Sequence, residues 1–146
     1  FSKDNFVQTV LNALKTSGAN PQLLKLEITE TLLANNIPDV KAKMKELQQH
    51  GVTFSIDDFG TGYSNFSHIM KIRPNYIKID GSLIKNINTD KNSYELVKSI
   101  IDFSKALNIK VIAEFVHSSD VYKTVLELGV DEFQGFYLAE PANKIE

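Results

Sequence analysis

The sequence predicts an α/β domain in which about five parallel strands alternate with helices. Short apolar runs of strand length alternate with amphipathic segments of helical periodicity, and the connections between them are short. A closed eight-stranded barrel of this kind typically needs about 250 residues, whereas this chain has 146. An open doubly wound sheet and part of a (β/α) barrel both remain, and no Gly-x-Gly-x-x-Gly run follows a strand to favour a dinucleotide-binding Rossmann unit.

Apolar residues spaced three or four positions apart predict the helices, and glycine or proline ends them. In the first helix these residues are Phe6, Val10 and Leu14, and Gly18 follows. Further helices are expected over about 38–49, 65–72, 91–107 and 121–128.

Strands are predicted over 23–30, 52–57, 76–80, 109–114 and 133–138. In the first strand, Leu26 and Ile28 alternate with Glu27 and Thr29, so the two pairs should face opposite sides of the sheet. In a barrel the apolar face would pack against the helices and the polar face would point inward.

Composition excludes several classes of function. The formal net charge is −2 and the sequence pI about 5.9, so no broad basic field is available, and we expect no DNA or RNA partner. The chain has no cysteine, which excludes disulfides and thiolate metal sites. No apolar run approaches the roughly 18 residues of a membrane-spanning helix, so we expect no membrane segment in this chain.

Charged residues gather at the ends of the predicted strands. The C-terminal edge of parallel strands faces the ligand site in βα folds, so their side chains should converge there. Clustered carboxylates repel one another, and a hard divalent cation such as Mg²⁺ or Mn²⁺ relieves that repulsion. Two such ions could hold a phosphodiester, and a lysine could bind the attacking water or the phosphate through its positive charge. The residues concerned are Glu27, Asp57, Asp58, Lys78, Asp80 and Glu114.

Each of these residues also has an ordinary structural interpretation. An Asp-Asp pair before a glycine turn is commonly a cap or turn, a lysine in a strand is commonly solvated, and a glutamate after a strand can begin a helix. The three histidines, His50, His68 and His117, show no ligand spacing. Acidic residues stand at the ends of most of the four strands concerned, and this coincidence favours the functional interpretation.

A series of segments resembles the EAL domain in order and spacing. The most specific segment is Asp57-Asp58-Phe59-Gly60-Thr61-Gly62-Tyr63-Ser64. The others are Leu26-Glu27-Ile28-Thr29-Glu30-Thr31, Ile77-Lys78-Ile79-Asp80, Ile112-Ala113-Glu114 and Gln134-Gly135-Phe136. The resemblance covers essentially the whole chain. It implies part of a TIM-like (β/α) barrel that hydrolyses cyclic-di-GMP to linear pGpG with Mg²⁺ or Mn²⁺.

The resemblance also implies roles for individual residues. Glu27 matches a metal-ligating glutamate, Asp57 the metal-bridging aspartate, and Asp58 the neighbour that reaches the second metal. Lys78 matches the lysine that contacts the catalytic water, and Glu114 a metal-site glutamate also proposed as general base.

Three further residues complete the expected site. Gln134 matches a glutamine of the family's site, and we assign it to substrate binding together with Asp80. Glu30 resembles the glutamate that steadies the loop Phe59–Phe66, which takes part in dimerisation in the family.

Two departures from the family pattern stand out. The Glu-Ala-Leu motif and a following asparagine should lie upstream of Phe1, so residues 1–146 read as the C-terminal portion of one EAL domain that lacks two ligands of the first metal. This chain alone is therefore expected to be inactive. The family's usual Glu-Gly-Val-Glu segment is here Glu114-Phe115-Val116-His117, so a glycine has become Phe115 and an acid has become His117.

These departures support a second hypothesis, a degenerate EAL module that acts as a cyclic-di-GMP receptor or protein-interaction switch. An unrelated (β/α) metal enzyme, aldolase-like or enolase-like, is a weaker third reading. The expected partner is cyclic-di-GMP, and a homodimer or other assembly should cover the open strand edges. The expected location is the cytoplasm, either alone or as the cytoplasmic part of a larger protein.

Overall fold

Within the described part of the chain, five parallel strands form a single sheet in the order β1-β2-β3-β4-β5, as the alternating pattern predicts. The computed structural model describes residues 5–35, 37–61 and 66–142. The strands are β1 (Lys25–Thr29), β2 (Thr53–Phe59), β3 (Tyr76–Ile79), β4 (Lys110–Ala113) and β5 (Glu132–Phe133). Helices connect the strands, so the predicted α/β class is confirmed.

All five predicted helices are present, and two short ones were not predicted. The predicted helices are α1 (Phe6–Ser17), α3 (Ile37–Gln49), α4 (Phe66–Ile72), α6 (Lys91–Ala106) and α7 (Ser119–Leu128). The additional ones are α2 (Glu30–Asn35) and α5 (Gly81–Lys85), and a 3-10 turn covers Pro21–Leu23. α2 begins directly after β1 and so takes Glu30 out of the predicted first strand, and α5 follows β3 with Asp80 alone between them.

Alternation along the strands separates an apolar face from a polar face. Ile28 and Ile77 are buried in a core that also contains Val97 of α6, whereas the neighbouring Glu27 side chain is 49% exposed. The expected division between helix-facing apolar residues and polar residues on the opposite face is therefore confirmed.

The strand register supplies a reference row across the sheet. Ile28, Ile56, Ile77 and Val111 pair in one row across four strands. In an eight-stranded barrel with a shear of eight, the strands are tilted, so residues at the same height along the barrel axis do not lie in one such row. From each strand to the next, the residue at that height lies on average one position further along the chain than the residue in the row. Five strands make an arc of such a barrel, with β1 and β5 at its two edges.

The last strand is shorter than the sequence predicted. β5 ends at Phe133, and the backbone then folds against the segment after β4, where the Val116 amide donates to Gln134 and the Tyr137 amide donates to Val116. A Cβ at Gly135 would collide with the Val116 backbone, so glycine permits this close approach. The prediction of a strand to residue 138 was wrong for this reason.

No helix in the described ranges is both long enough and apolar enough to span a bilayer.

Candidate active site

A buried lysine lies among three carboxylates at the C-terminal end of the sheet. The Lys78 Nζ is 2.7 Å from Glu114 Oε1, 3.0 Å from Asp57 Oδ1 and 3.1 Å from Glu27 Oε1. The lysine side chain is 7% exposed, whereas those of Asp57 and Glu114 are 24% and 20% exposed. Four strands thus contribute to one cluster: β1, β2 and β3 directly, and β4 through the residue that follows it.

These contacts keep the Lys78 ammonium charged. Burial alone lowers the pKa of Lys78, but polar contacts with Glu114, Asp57 and Glu27 and the attraction of Glu114 outweigh burial, so the pKa is raised. The lysine is therefore a fixed positive charge and a hydrogen-bond donor at neutral pH, and it does not act as a base.

A register shift in β2 brings two consecutive aspartates toward this cluster. Ile56 pairs with Ile77 and Phe59 pairs with Ile79, so Asp57 and Asp58 together lie opposite the single residue Lys78. In a regular strand neighbouring side chains point to opposite faces, and a bulge of this kind redirects one of them. Asp58 has φ 57°, the left-handed conformation that accompanies this irregularity.

Asp57, Asp58 and Glu114 form a group that fits a metal ion. Each offers a carboxylate oxygen, and the three oxygens lie within 4.8 Å of one another. Asp57 Oδ1 is buried and accepts no well-directed hydrogen bond from the described residues, so its contact with Lys78 is ionic and the oxygen keeps lone pairs available. An all-oxygen ligand set suits hard divalent cations.

The charge balance supports the same assignment. Among the described residues, three carboxyl groups, those of Glu27, Asp57 and Glu114, contact the one ammonium of Lys78, so acidic groups outnumber the basic one by two. Partly buried carboxylates in excess of their partners repel one another. A divalent cation would neutralise that excess.

Asp80 and Glu30, which were also expected at the site, both lie at helix starts. Asp80 is the N-terminal cap of α5, and its Oδ1 accepts a hydrogen bond from the Ser82 amide at 2.8 Å. Glu30 is the first residue of α2, immediately after β1. The loop assigned to Glu30 includes residues 62–65, which lie outside the described residues.

Gln134 lies beside the two residues that depart from the family pattern. A cavity of about 210 Å³ is lined by Phe115, His117, Gln134, Gly135 and Phe136. Phe115 is 51% exposed and its φ is 56°, in the left-handed region that a glycine adopts without strain. The His117 Nδ1 is 3.2 Å from the Phe115 carbonyl oxygen.

Sequence reasoning assigned no role to two residues near the site. Phe136 is 70% exposed and lines the cavity beside Gln134. The hydroxyl of Ser55 is buried without a hydrogen-bond partner in the part of the chain that the structure describes. Strand alternation was the available signal for Ser55, because it places this residue on the same face as Asp57, one step deeper.

Comparison with known proteins identifies the family. The EAL domain model matches residues 1–141. The curated "Cyclic di-GMP phosphodiesterase PdeA" of Borreliella burgdorferi is 36% identical over 137 residues, which is 94% of this chain and 20% of that protein. The chain therefore spans about a fifth of the length of this relative.

Solved structures agree with the fold. A structure titled "PaMucR Phosphodiesterase, c-di-GMP complex" is 31% identical, with a TM-score of 0.90 over 96% of this chain and 57% of that chain. The manganese and cyclic-di-GMP complex of Klebsiella pneumoniae BlrP1 is 29% identical, with a TM-score of 0.85 over 92% of this chain and 34% of that one.

Proposed function

The chain belongs to the EAL domain family, and from this premise we propose that it forms part of a metal-dependent phosphodiesterase that hydrolyses cyclic-di-GMP to linear pGpG. The observation that carries the proposal is the convergence of Glu27, Asp57 and Glu114 on Lys78, with Asp58 close by. Relatives named as cyclic-di-GMP phosphodiesterases support the choice of substrate.

In this proposal Glu27, Asp57, Asp58 and Glu114 would hold the metal. Mg²⁺ or Mn²⁺ held there would supply positive charge to the phosphodiester and make the attacking water more acidic. The bulge in β2 supports these roles, because it lets two adjacent aspartates serve one site.

Lys78 and Glu114 would act on the reacting atoms. The Lys78 ammonium donates a hydrogen bond to the attacking water or to a phosphoryl oxygen, and Glu114 accepts the proton that the water loses. The water oxygen forms a bond to phosphorus and the bond from phosphorus to a ribose oxygen breaks. That oxygen takes a proton from solvent and ends as a hydroxyl, and Glu114 later releases the proton it accepted to solvent. General-base catalysis of this kind contributes typically about 10²–10⁴-fold.

The remaining expected residues act around this centre. We propose that Gln134 binds the substrate beside the cavity lined by Phe115 and Phe136. Asp80 would act on the substrate through the start of α5, which it caps. Glu30 would steady the loop after β2.

We further propose that residues 1–146 are the C-terminal portion of a single EAL domain and have negligible turnover alone. The family pattern places two ligands of the first metal upstream of Phe1. For the 146 residues alone, an assembly such as a homodimer would cover the outer edges of β1 and β5, which pair with no further strand among the described residues. A cytoplasmic location belongs to the same proposal.

The decisive experiment measures cyclic-di-GMP hydrolysis by the full-length natural protein with added Mn²⁺. Glu114→Gln should lower kcat by at least about 10²-fold, whereas Asp102→Asn, an exposed acid on α6, should leave it unchanged. Equal rates for wild type and Glu114→Gln would exclude the proposed mechanism. Normal turnover by the isolated 146-residue chain would exclude only the proposal that it is inactive alone.

A non-catalytic cyclic-di-GMP receptor is the second candidate function. Phe115 favours it, because a half-exposed ring in a left-handed conformation occupies a position where the family has glycine. A binding titration with and without Mn²⁺ distinguishes the two functions. Binding that does not depend on metal, with no pGpG released by the full-length protein, would favour the receptor.

A further inference from the structure

An ion pair joins the two outermost strands of the sheet. The Lys25 Nζ on β1 lies 2.9 Å from Glu132 Oε2 on β5. In a flat sheet these strands, four spacings apart, would be about 19 Å from each other, which two side chains do not span. The pair therefore crosses the concave side of the curved sheet, the side on which Lys78 lies.

The register places this pair at one height in the barrel. Lys25 lies three residues before Ile28 in the row Ile28–Ile56–Ile77–Val111, and Glu132 lies one residue beyond it because it pairs with Ile112. The stagger of four residues over four strand spacings matches the average of one residue per strand for an eight-stranded barrel with a shear of eight.

Tyr76 belongs to the same layer. It lies one residue before Ile77, at the intermediate stagger, and the Lys25 Nζ is 3.7 Å from the centre of its ring. Layers of such barrels take side chains from alternate strands, and β1, β3 and β5 are alternate strands. A cation over a phenol ring is attracted to it, so Tyr76 holds the lysine in the middle of the arc.

The next layer toward the C-terminal edge belongs to the candidate active site. Two residues after Lys25, Tyr76 and Glu132 come Glu27, Lys78 and Gln134, one on each of the same three strands or directly after it. Interior barrel layers are dominated by bulky branched apolar residues. Here the layer instead contains the ion pair of Lys25 and Glu132 with Tyr76, and this contact fixes the separation of β1 and β5 across the arc.

We propose that Lys25 and Glu132, with Tyr76 between them, are positioning residues that set the separation of Glu27 and Gln134 across the site. The side chains of Lys25 and Glu132 are 30% and 43% exposed, and ion pairs so exposed contribute little to stability. The expected signature is therefore a change of geometry and of metal affinity, with little change in the melting temperature.

The first test measures a distance and is independent of the proposed function. This chain has no cysteine, so Lys45→Cys on α3 and Lys123→Cys on α7, both exposed, give two unique sites for spin labels in it. In the full-length natural protein, with any cysteine outside this chain replaced by serine, Lys25→Met and Glu132→Gln should each shift or broaden the distribution of distances between the labels. Lys25→Arg, which keeps the charge, should restore the wild-type distribution.

Asp39→Asn is the matched control, because it removes an ion pair of 2.8 Å with Lys43 within α3, away from the concave face. It should leave the distribution unchanged. The double variant Lys25→Met with Glu132→Gln should change the distribution no more than either single variant, since both remove one interaction. Wild-type distributions in both single variants, or additive effects in the double variant, would overturn the proposal.

The second test rests on the proposed function and measures Mn²⁺ affinity by calorimetry. We expect Lys25→Met and Glu132→Gln to weaken binding by on the order of tenfold, as loss of outer-shell support does in other metal sites, with Lys25→Arg close to wild type. A changed distance with unchanged Mn²⁺ affinity would overturn the positioning role. If the wild type binds no Mn²⁺, the metal site of the proposed function fails, and the distance test still decides whether the pair sets the curvature.

Discussion

The Lys78 ammonium and the Glu114 carboxylate are 2.7 Å apart and form the shortest of the three ion pairs in the candidate active site. The two residues come from neighbouring strands of the sheet, since Lys78 is in β3 and Glu114 directly follows β4. In the proposed reaction the pair combines a proton acceptor, Glu114, with a charged hydrogen-bond donor, Lys78, at the attacking water.

Replacement of the lysine tests this relationship. We expect Lys78→Met to lower kcat for cyclic-di-GMP by at least about 10²-fold in the full-length protein, because the carboxylates lose their common positive partner. Steady-state kinetics with Mn²⁺ measure the effect. Lys98→Met, an exposed lysine of α6, is the control and should behave as wild type. A lysine that merely supports the fold would give normal kcat for the folded fraction of Lys78→Met.

The left-handed backbone at Phe115 predicts an inverted order of substitutions. The Phe115→Gly variant should be more stable to unfolding than the Phe115→Ala variant by about 1 kcal/mol, because alanine keeps the Cβ that opposes a positive φ. Urea denaturation of Phe115→Gly and Phe115→Ala measures the difference. At Phe103, within α6, Ala should instead be more stable than Gly by about 1 kcal/mol. The same order at both positions would show that the strain at Phe115 is negligible.

Two buried serines should respond differently to loss of their hydroxyl groups. The Ser104 hydroxyl donates to the Ile100 carbonyl at 2.7 Å, so Ser104→Ala should cost about 1 kcal/mol of the free energy of unfolding. The Ser55 hydroxyl is buried without a partner in the described ranges, so Ser55→Ala should be neutral or stabilising. Chemical denaturation of both variants checks this, and an equal loss in each would mean that Ser55 has a partner such as a bound water.

The cap of α6 gives a pH-dependent prediction. The pKa of Asp90 is lowered because the Ser93 hydroxyl and the Ser93 and Asn92 amides donate to its carboxylate. A pKa lowered by folding means that the ionised group stabilises the fold above its unfolded value, about 3.9, and that this contribution is lost as the pH falls through the folded value.

Asp90→Ala should therefore melt below wild type at pH 6, and the difference should shrink below about pH 4. Thermal melts between pH 3 and pH 7 measure it. Asp102→Ala, on the exposed side of the same helix, should show no such convergence with wild type. A difference for Asp90→Ala that stays constant down to pH 3 would contradict the assignment.

Local patterns predicted the main elements because their periodicity reflects burial. The alternation around Glu27 and Lys78 identified the polar face, and the strand ends identified the edge where they meet. The short helices α2 and α5 escaped prediction because each has only one or two turns and begins at or just after a strand end. Asp80 illustrates the difficulty, since a strand-end acid and a helix cap look the same in sequence.

Other features depend on contacts between distant segments. β5 stops early because Gly135 packs against Val116, some twenty residues earlier in the chain. The ion pair between Lys25 and Glu132 joins residues whose relation follows only from the curvature of the sheet. Sequence alone presents each of these residues as an ordinary polar or small residue.

The shift of register at Asp57 and Asp58 also limits how this centre can be transferred to another protein. A designer who placed two consecutive aspartates at the end of an undistorted strand would obtain one inside the barrel and one among the helices. The extra residue opposite Lys78 would have to be copied with them, including a backbone that tolerates φ 57° at the second aspartate. Transfer of this site to another protein therefore requires the distorted backbone segment together with its neighbouring strand. A short sequence motif inserted alone would not reproduce the site.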